Sequence, residues 1–329
     1  TIALFFLILI VNTIIKKKKL PPNYTGEMHQ KFVGKKKIPL SGGIFIVSVF
    51  IIMFYKDYTF FCVTLSLIFL LGFFSDINFF ASPKYRLLFQ SLIIFIFVYF
   101  SNLQILQTRV LFLDLALENI WINYFFITFC ILVTINGTNF VDGLNGLVLG
   151  YYLIISVIIF NLGLSIQPDI FHSQIIFLII FLAFLFLLNL LNQFYAGDGG
   201  AYSLGFIFSF LLILIYQFNT NISPFFIVLL LWYPCFENLF SIIRKSFMGI
   251  SYVYCINSNP AFFRKFFILV FLGLIFIRYL LRGFFFIIIF RTCSHRRFLG
   301  WKTDLNGSLK RIPTSSCFVR LIDPIFSFP

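Results

Sequence analysis

Long apolar runs, with polar residues gathered between them, dominate this chain. Phe, Ile and Leu fill stretches near 1–15, 41–55, 58–74, 87–101, 120–135, 147–164, 174–191, 204–218, 224–242 and 266–290. The runs lack the alternation of a strand, which argues against an outer-membrane barrel. A membrane-spanning helix needs about 20 apolar residues, with a range of about 17 to 25. The pattern therefore predicts an all-α fold, a polytopic membrane helix bundle of about ten transmembrane helices. Thr1 already lies inside an apolar run, so the first span is expected to be truncated. Residues 102–119 are expected to form a short surface element on the outer side.

The connecting segments alternate in charge. One set comprises 16–40, 75–86, 136–146, 192–203 and 243–265. It holds Lys16 to Lys19, Lys31, Lys35 to Lys37, Lys84, Arg86, Arg244, Lys245, Arg264 and Lys265. The other set, 56–57, 102–119, 165–173 and 219–223, has only Lys56 and Arg109 as cations. Lys and Arg stay in cytoplasmic loops, so the first set is expected in the cytoplasm. Residues 1–290 then read as one integral membrane domain. The tail, 291–329, breaks the alternation: it would lie outside, yet it carries Arg291, Arg296, Arg297, Lys302, Lys310, Arg311 and Arg320. Either 266–290 is a hairpin that returns the tail inside, or the tail is disordered or out of frame.

Composition narrows the class. The chain is 60% hydrophobic and 11% charged, whereas a soluble domain carries about a quarter charged residues. The 52 Phe residues read as a bias in base composition. The net charge of +14 reports orientation in the bilayer; without a basic soluble module, no nucleic-acid partner is expected. Cys62, Cys130, Cys235, Cys255, Cys293 and Cys317 show no C-x-x-C spacing, which favours packing over a metal site or disulfide framework. Three histidines, His29, His172 and His295, are too few for a His-rich zinc site.

Candidate chemistry sits in three loops of the cytoplasmic set. Asp76 follows Gly72 to Ser75. Asp142 lies in Asn136-Gly137-Thr138-Asn139-Phe140-Val141-Asp142-Gly143-Leu144-Asn145-Gly146. Asp198 lies in Ala196-Gly197-Asp198-Gly199-Gly200. The chain has only 11 acidic residues, and carboxylates retained at a membrane edge are functional candidates. Together they predict a hard cation and a phosphorylated substrate at the membrane surface. A helix starting near Leu144 to Leu147 would present N-terminal amides to an anion. A carboxylate flanked by glycines suits Mg²⁺, which keeps waters and takes one or two protein carboxylates. Asn136, Asn139 and Asn145 can bond phosphate, sugar or base. Lys84 and Arg86, on a helix beginning near Pro83, would face lipid phosphates. His29 and Lys31 could bind phosphate, though a lone His is more often structural. The ordinary alternatives are helix-cap turns for the Asp-Gly segments and a charged flank for Arg86.

Pro39 to Gly43, Asp76 to Gln90, Asn136 to Gly146 and Gly197 to Gly200, in that order, resemble the polyprenyl-phosphate N-acetylhexosamine-1-phosphate transferase family, glycosyltransferase family 4. Their counterparts there are a Pro-x-x-Gly-Gly loop, an acidic pair followed by Lys and Gln, an N-x-x-N-x-x-D-G-L-D-G loop and a G-D-x-G loop. Pro234 to Lys245 is similar to the family's span before its last cytoplasmic loop, and the likeness covers about residues 20–250. The resemblance implies a multi-pass enzyme of the bacterial cytoplasmic (inner) membrane. It would transfer an N-acetylhexosamine 1-phosphate from a UDP-sugar to polyprenyl (undecaprenyl) phosphate, releasing UMP and initiating a cell-envelope polysaccharide. The expected partners are UDP-N-acetylhexosamine, polyprenyl phosphate and the lipid bilayer, with a homodimer allowed. Mg²⁺, or Mn²⁺ in its place, is the expected cofactor. Asp76, Asp142 and Asp198 are the expected catalytic residues, with Asp198 and Asp142 on the metal. Asn136, Asn139, Asn145, Lys31, Lys84, Arg86 and His29 are the expected substrate contacts.

The chain departs from that pattern at three points. Ser75-Asp76 stands where the family has two acids, and Asn145 stands where it has a second Asp. The family's His-x-His-His loop should follow Lys245, but no histidine occurs before His295. A frame change or gene decay after about Lys245 accounts for both this loss and the basic tail. The competing readings are a transporter or channel, and an inactive remnant of the family.

Overall fold

A computed structural model of the chain describes residues 2–18, 38–77, 79, 82–105, 107–143, 145–164, 171–219, 222–248, 301–303 and 309–311. The chain divides into Thr1–Ser251 and Tyr252–Pro329. In the second unit, β1 (Trp301–Thr303) pairs antiparallel with β2 (Leu309–Arg311), Lys302 opposite Lys310. The expected span 266–290, the domain boundary at 290, most of the tail and the segment expected to carry the His-rich loop lie outside the described residues. So do His29, Lys31 and Lys35 to Lys37.

The first unit is helical: α1 (Ile2–Lys18), α2 (Gly42–Phe54), α3 (Thr59–Asp76), α4 (Pro83–Ser101), α5 (Leu111–Leu117), α6 (Ile120–Val141), α7 (Leu147–Asn161), α8 (Phe171–Leu190), α9 (Gly197–Phe218), α10 (Pro224–Leu230) and α11 (Trp232–Met248). Among the described residues, α3, α4, α6 and α9 are long and apolar enough to cross a membrane. The α10–α11 pair adds a fifth if counted as one span bent by 66°. The expected count of about ten is not reached among the described residues, and the expected span 266–290 lies outside them. Apolar length in sequence did not become helix length everywhere: α2 has 13 residues, a rise of about 20 Å against a hydrocarbon core of about 30 Å. The expected surface element between α4 and α6 contains α5.

Helix α9 is the axis of the unit, buried without interruption from Gly199 to Ile215. Helices α2, α3 and α6 pack around it, and α4 packs on α3 and α6. Tight approach depends on missing side chains: a Cβ on Gly72 of α3 would sit 2.5 Å from Gly199 Cα. Small residues at such crossings let helix backbones meet where hydrocarbon provides no hydrophobic drive. Toward the opposite end the same helices interlock through aromatics, Phe61 lying 4.6 Å from Phe210, centroid to centroid.

The bend before α11 has a local cause. Pro234 has no N–H, so the Leu230 carbonyl loses its helical donor and the ring crowds it. The Tyr151 hydroxyl donates to that carbonyl instead.

Candidate active site

The site is built where α3 ends and α9 begins. The first amides of a helix have no partner within it and attract negative charge. Ala196, the residue before α9, gives no side-chain cap. Asp76, the last residue of α3, caps α9 from outside: Oδ1 accepts the Asp198 N–H at 2.9 Å and Oδ2 accepts the Gly199 N–H at 3.2 Å. Gly197, at φ +69°, makes the turn into the helix at a conformation that suits glycine. The Gly-Asp-Gly-Gly segment is therefore the first turn of α9 and not a loop. The helix starts about two turns before the predicted 204. A cap borrowed from another helix leaves no local signal, so the apolar pattern placed the start too late.

That first turn puts Asp198 between two donors. Its Oδ2 accepts from Ser75 Oγ at 2.6 Å and from Arg86 Nη1 at 3.0 Å. Arg86 also reaches Ser75 Oγ and, at 3.5 Å, the hydroxyl of Tyr202. The ion pair is partly exposed, 21% for Arg86 and 30% for Asp198. Asp198 Oδ1 accepts no hydrogen bond among the described residues. Arg86 Nε is buried without a partner among them.

One turn deeper on α4, Gln90 is fully buried and its Oε1 accepts from Asn136 Nδ2 at 3.1 Å. Arg86 and Gln90 lie four residues apart, on one helix face. Ser75 and Tyr202 were not anticipated as partners. The spacing of four from Asp198 is the sequence signal for Tyr202; Ser75 stands where the resemblance puts an acid.

Asp142 terminates α6, its N–H bonded to Thr138 O at 3.1 Å. Its carboxyl makes no hydrogen bond among the described residues. Burial pushes its pKa well above the ordinary carboxylate range, and the charges of Asp198 and then Asp76 push it further. Asp76, Asp142 and Asp198 thus come together within electrostatic reach. The segment from Asn136 to Val141, predicted as loop, is the last turns of α6. Helix α7 begins at Leu147 as expected, after Gly146 at φ +79°. Its first amide region is engaged from α8: Asn189 Oδ1 accepts the Gly146 N–H, and Asn189 Nδ2 donates to Phe194 O.

The other predicted contacts divide. Asn145 is exposed and donates to Asn192 Oδ1 at 2.5 Å. Asn139 is half-buried near Asp142. Lys84 is exposed in the first turn of α4. The Pro39 to Gly43 segment packs on the start of α9, with Tyr195 N–H on Pro39 O at 2.9 Å and Gly42 N–H on Tyr195 O at 3.0 Å.

Among the described residues no group of three or more His, Cys, Asp and Glu could hold a metal ion. Asp198 Oδ1 and the Asp142 carboxylate remain open, and two carboxylates fit Mg²⁺ completed by water and phosphate. Residues 58–216 match the family model described as Glycosyl transferase family 4.

Over this segment the chain is similar to glycosyltransferase family 4.

The match runs from the start of α3 almost to the end of α9. It takes in Asp76, Arg86, Asn136, Asp142 and Asp198, and leaves α1, α2, α10 and α11 outside. No curated protein matches the chain. The family 4 match and the several apolar helices together support a transferase of the membrane-bound kind.

Proposed function

We propose that this family 4 protein transfers an N-acetylhexosamine 1-phosphate from a UDP-sugar to polyprenyl phosphate at the cytoplasmic membrane face, releasing UMP. The observation that carries this reading is the convergence of Asp198, Asp142 and Arg86 at one end of the bundle. Open carboxylate oxygens stand there beside a guanidinium with a free N–H.

Mg²⁺, held by Asp198 and Asp142, would neutralise the diphosphate and orient it. The acceptor phosphate carries about −1.5 to −2 charge near neutral pH, so it is already a nucleophile. The protein's task is then to place charge and hold geometry, more than to abstract a proton. Arg86 would hold a phosphate through Nε and Nη, and Lys84 would draw lipid phosphate toward the surface. Gln90, backed by Asn136, keeps polar contact below the guanidinium. Asn139 and Asn145 would contact the nucleotide or sugar. Asp76, with both oxygens on the amides of α9, holds Asp198 in position. A transporter would concentrate its polar groups near mid-membrane; here the candidate site lies at an end of the bundle, where α3 ends and α9 begins.

The test is release of UMP from radiolabelled UDP-N-acetylhexosamine by membranes supplied with polyprenyl phosphate and Mg²⁺. Release that needs both additions is the expected result. Label moved across sealed vesicles without UMP formation would favour the transporter, and no turnover by folded protein would favour the remnant.

A further inference from the structure

Helix α1 lies outside the matched family segment, and one of its residues does not fit a plain membrane anchor. Phe6, Leu7, Leu9, Ile10 and Ile14 are exposed, as lipid-facing residues are, but Asn12 is 4% exposed. A buried amide is costly unless both ends are bonded. Both are: Asn12 Oδ1 accepts from Ser41 Oγ at 2.9 Å, and Asn12 Nδ2 donates to Gln193 O at 3.1 Å. One turn on, Lys16 Nζ donates to Gln193 Oε1 at 2.5 Å.

These bonds reach two segments that lead directly to the site. Ser41 precedes α2 and belongs to the stretch that hydrogen-bonds Tyr195. Gln193 is four residues before Gly197, and Asn189 grips Phe194 from the other side. The stretch Asn192–Ala196 has no helix or strand to hold it. Its position is set by side chains from α1 and α8 and by the Pro39–Gly42 backbone. It leads directly into the first turn of α9, which carries Asp198.

We infer that Asn12 is a positioning residue: α1 acts as a strut that fixes the Asn192–Ala196 segment and, through it, the first turn of α9. The activity arm of this inference rests on the proposed transferase reading; the exchange arm does not.

The experiment compares Asn12→Leu, Asn12→Gln and Ser41→Ala in the full chain. Backbone hydrogen exchange is followed by mass spectrometry, and UMP release by steady-state kinetics. Asn12→Leu should raise exchange across 191–196 roughly tenfold, leaving 204–215 unchanged, because loss of a tether opens a segment locally. It should lower kcat roughly tenfold with KM for the UDP-sugar within about twofold, the pattern of lost transition-state geometry. Asn12→Gln, which keeps a donor and an acceptor, should recover most of both effects. Ser41→Ala, which spares the bond to Gln193, should show a smaller change in exchange. Unchanged exchange at 191–196 in Asn12→Leu overturns the inference, as does Asn12→Gln behaving like Asn12→Leu. A wild-type protein that releases no UMP defeats the transferase reading alone, since exchange still judges the strut.

Discussion

The two ends of the bundle both carry aspartate and asparagine in hydrogen-bonded clusters, yet they are built to opposite rules. At the α5 end, Asp114 Oδ1 accepts both the N–H and the hydroxyl of Thr108, at 2.5 and 2.6 Å. Those bonds, the hydroxyl's first, hold its pKa below the ordinary range. Asn123 there exchanges bonds with Ile105 N and O and reaches Leu117 O. Gln217 closes the same end onto Gln104 O at 2.8 Å. At the α9 end, Asp142 is pushed up in pKa, Asp198 keeps an oxygen open and Arg86 keeps a buried N–H without a partner. One cluster is closed by its own chain. The other is arranged for charge that must come from outside, and unmet polar capacity separates a site from a clasp.

The strongest test of that contrast removes the open acid. Asp198→Asn should lower UMP release by on the order of 10³-fold, as loss of a transition-state electrostatic group does, with membrane insertion intact. Release near the wild-type rate would make the α9 end a clasp too. Next is the crossing that holds it. Gly72→Ala drives a Cβ into the Gly199 backbone and should cost about 3 kcal/mol by overpacking, read by thermal unfolding in detergent. Little change there would mean that α3 does not set the position of α9. At the opposite end, Asn123→Leu strands buried backbone groups of Ile105 and Leu117. We expect a loss of about 2 kcal/mol in stability with UMP release per folded molecule unchanged; lost turnover would erase the distinction between the ends.

Two smaller effects concern pH, with opposite signs. Asp142 has a raised folded pKa, so its proton stays on in the native state after the unfolded chain has lost it. Stability from this group is present in acid and declines as pH rises through the raised value. A cation must displace that proton, so Mg²⁺ binding should strengthen over the same interval. Calorimetry on Asp142→Asn should show this pH dependence flattened, and a dependence that persists would move its source elsewhere. Asp114 has a lowered folded pKa, so its contribution holds above the ordinary range and fades only as pH falls through the folded value. Thr108→Ala should shift the acid limb of the unfolding curve upward in pH by a small amount; an unmoved limb would show that the clip does not bind the proton equilibrium.

The legibility of the sequence differed from place to place. The apolar runs gave the helices α3 and α4 and the start of α6 within a few residues, because burial in lipid demands apolar length. They misplaced the start of α9, because its cap, Asp76, is more than a hundred residues away. They gave one span where Pro234 makes two helices. The motifs named Asp76, Asp142, Asp198 and Arg86, since few acids and cations interrupt such a chain. They could not say that Asp76 caps α9 while Asp198 keeps an oxygen without a hydrogen bond among the described residues, nor that Ser75 and Tyr202 belong with Arg86.

By itself, then, the sequence determined a helical membrane chain and the small set of polar residues able to do chemistry, because hydrocarbon tolerates few of them and each stands out. Only the tertiary structure decided their roles. A carboxylate becomes a cap, a clip or an open ligand according to which donors lie within about 3 Å of its oxygens, and those donors come from helices that sequence separation keeps far apart.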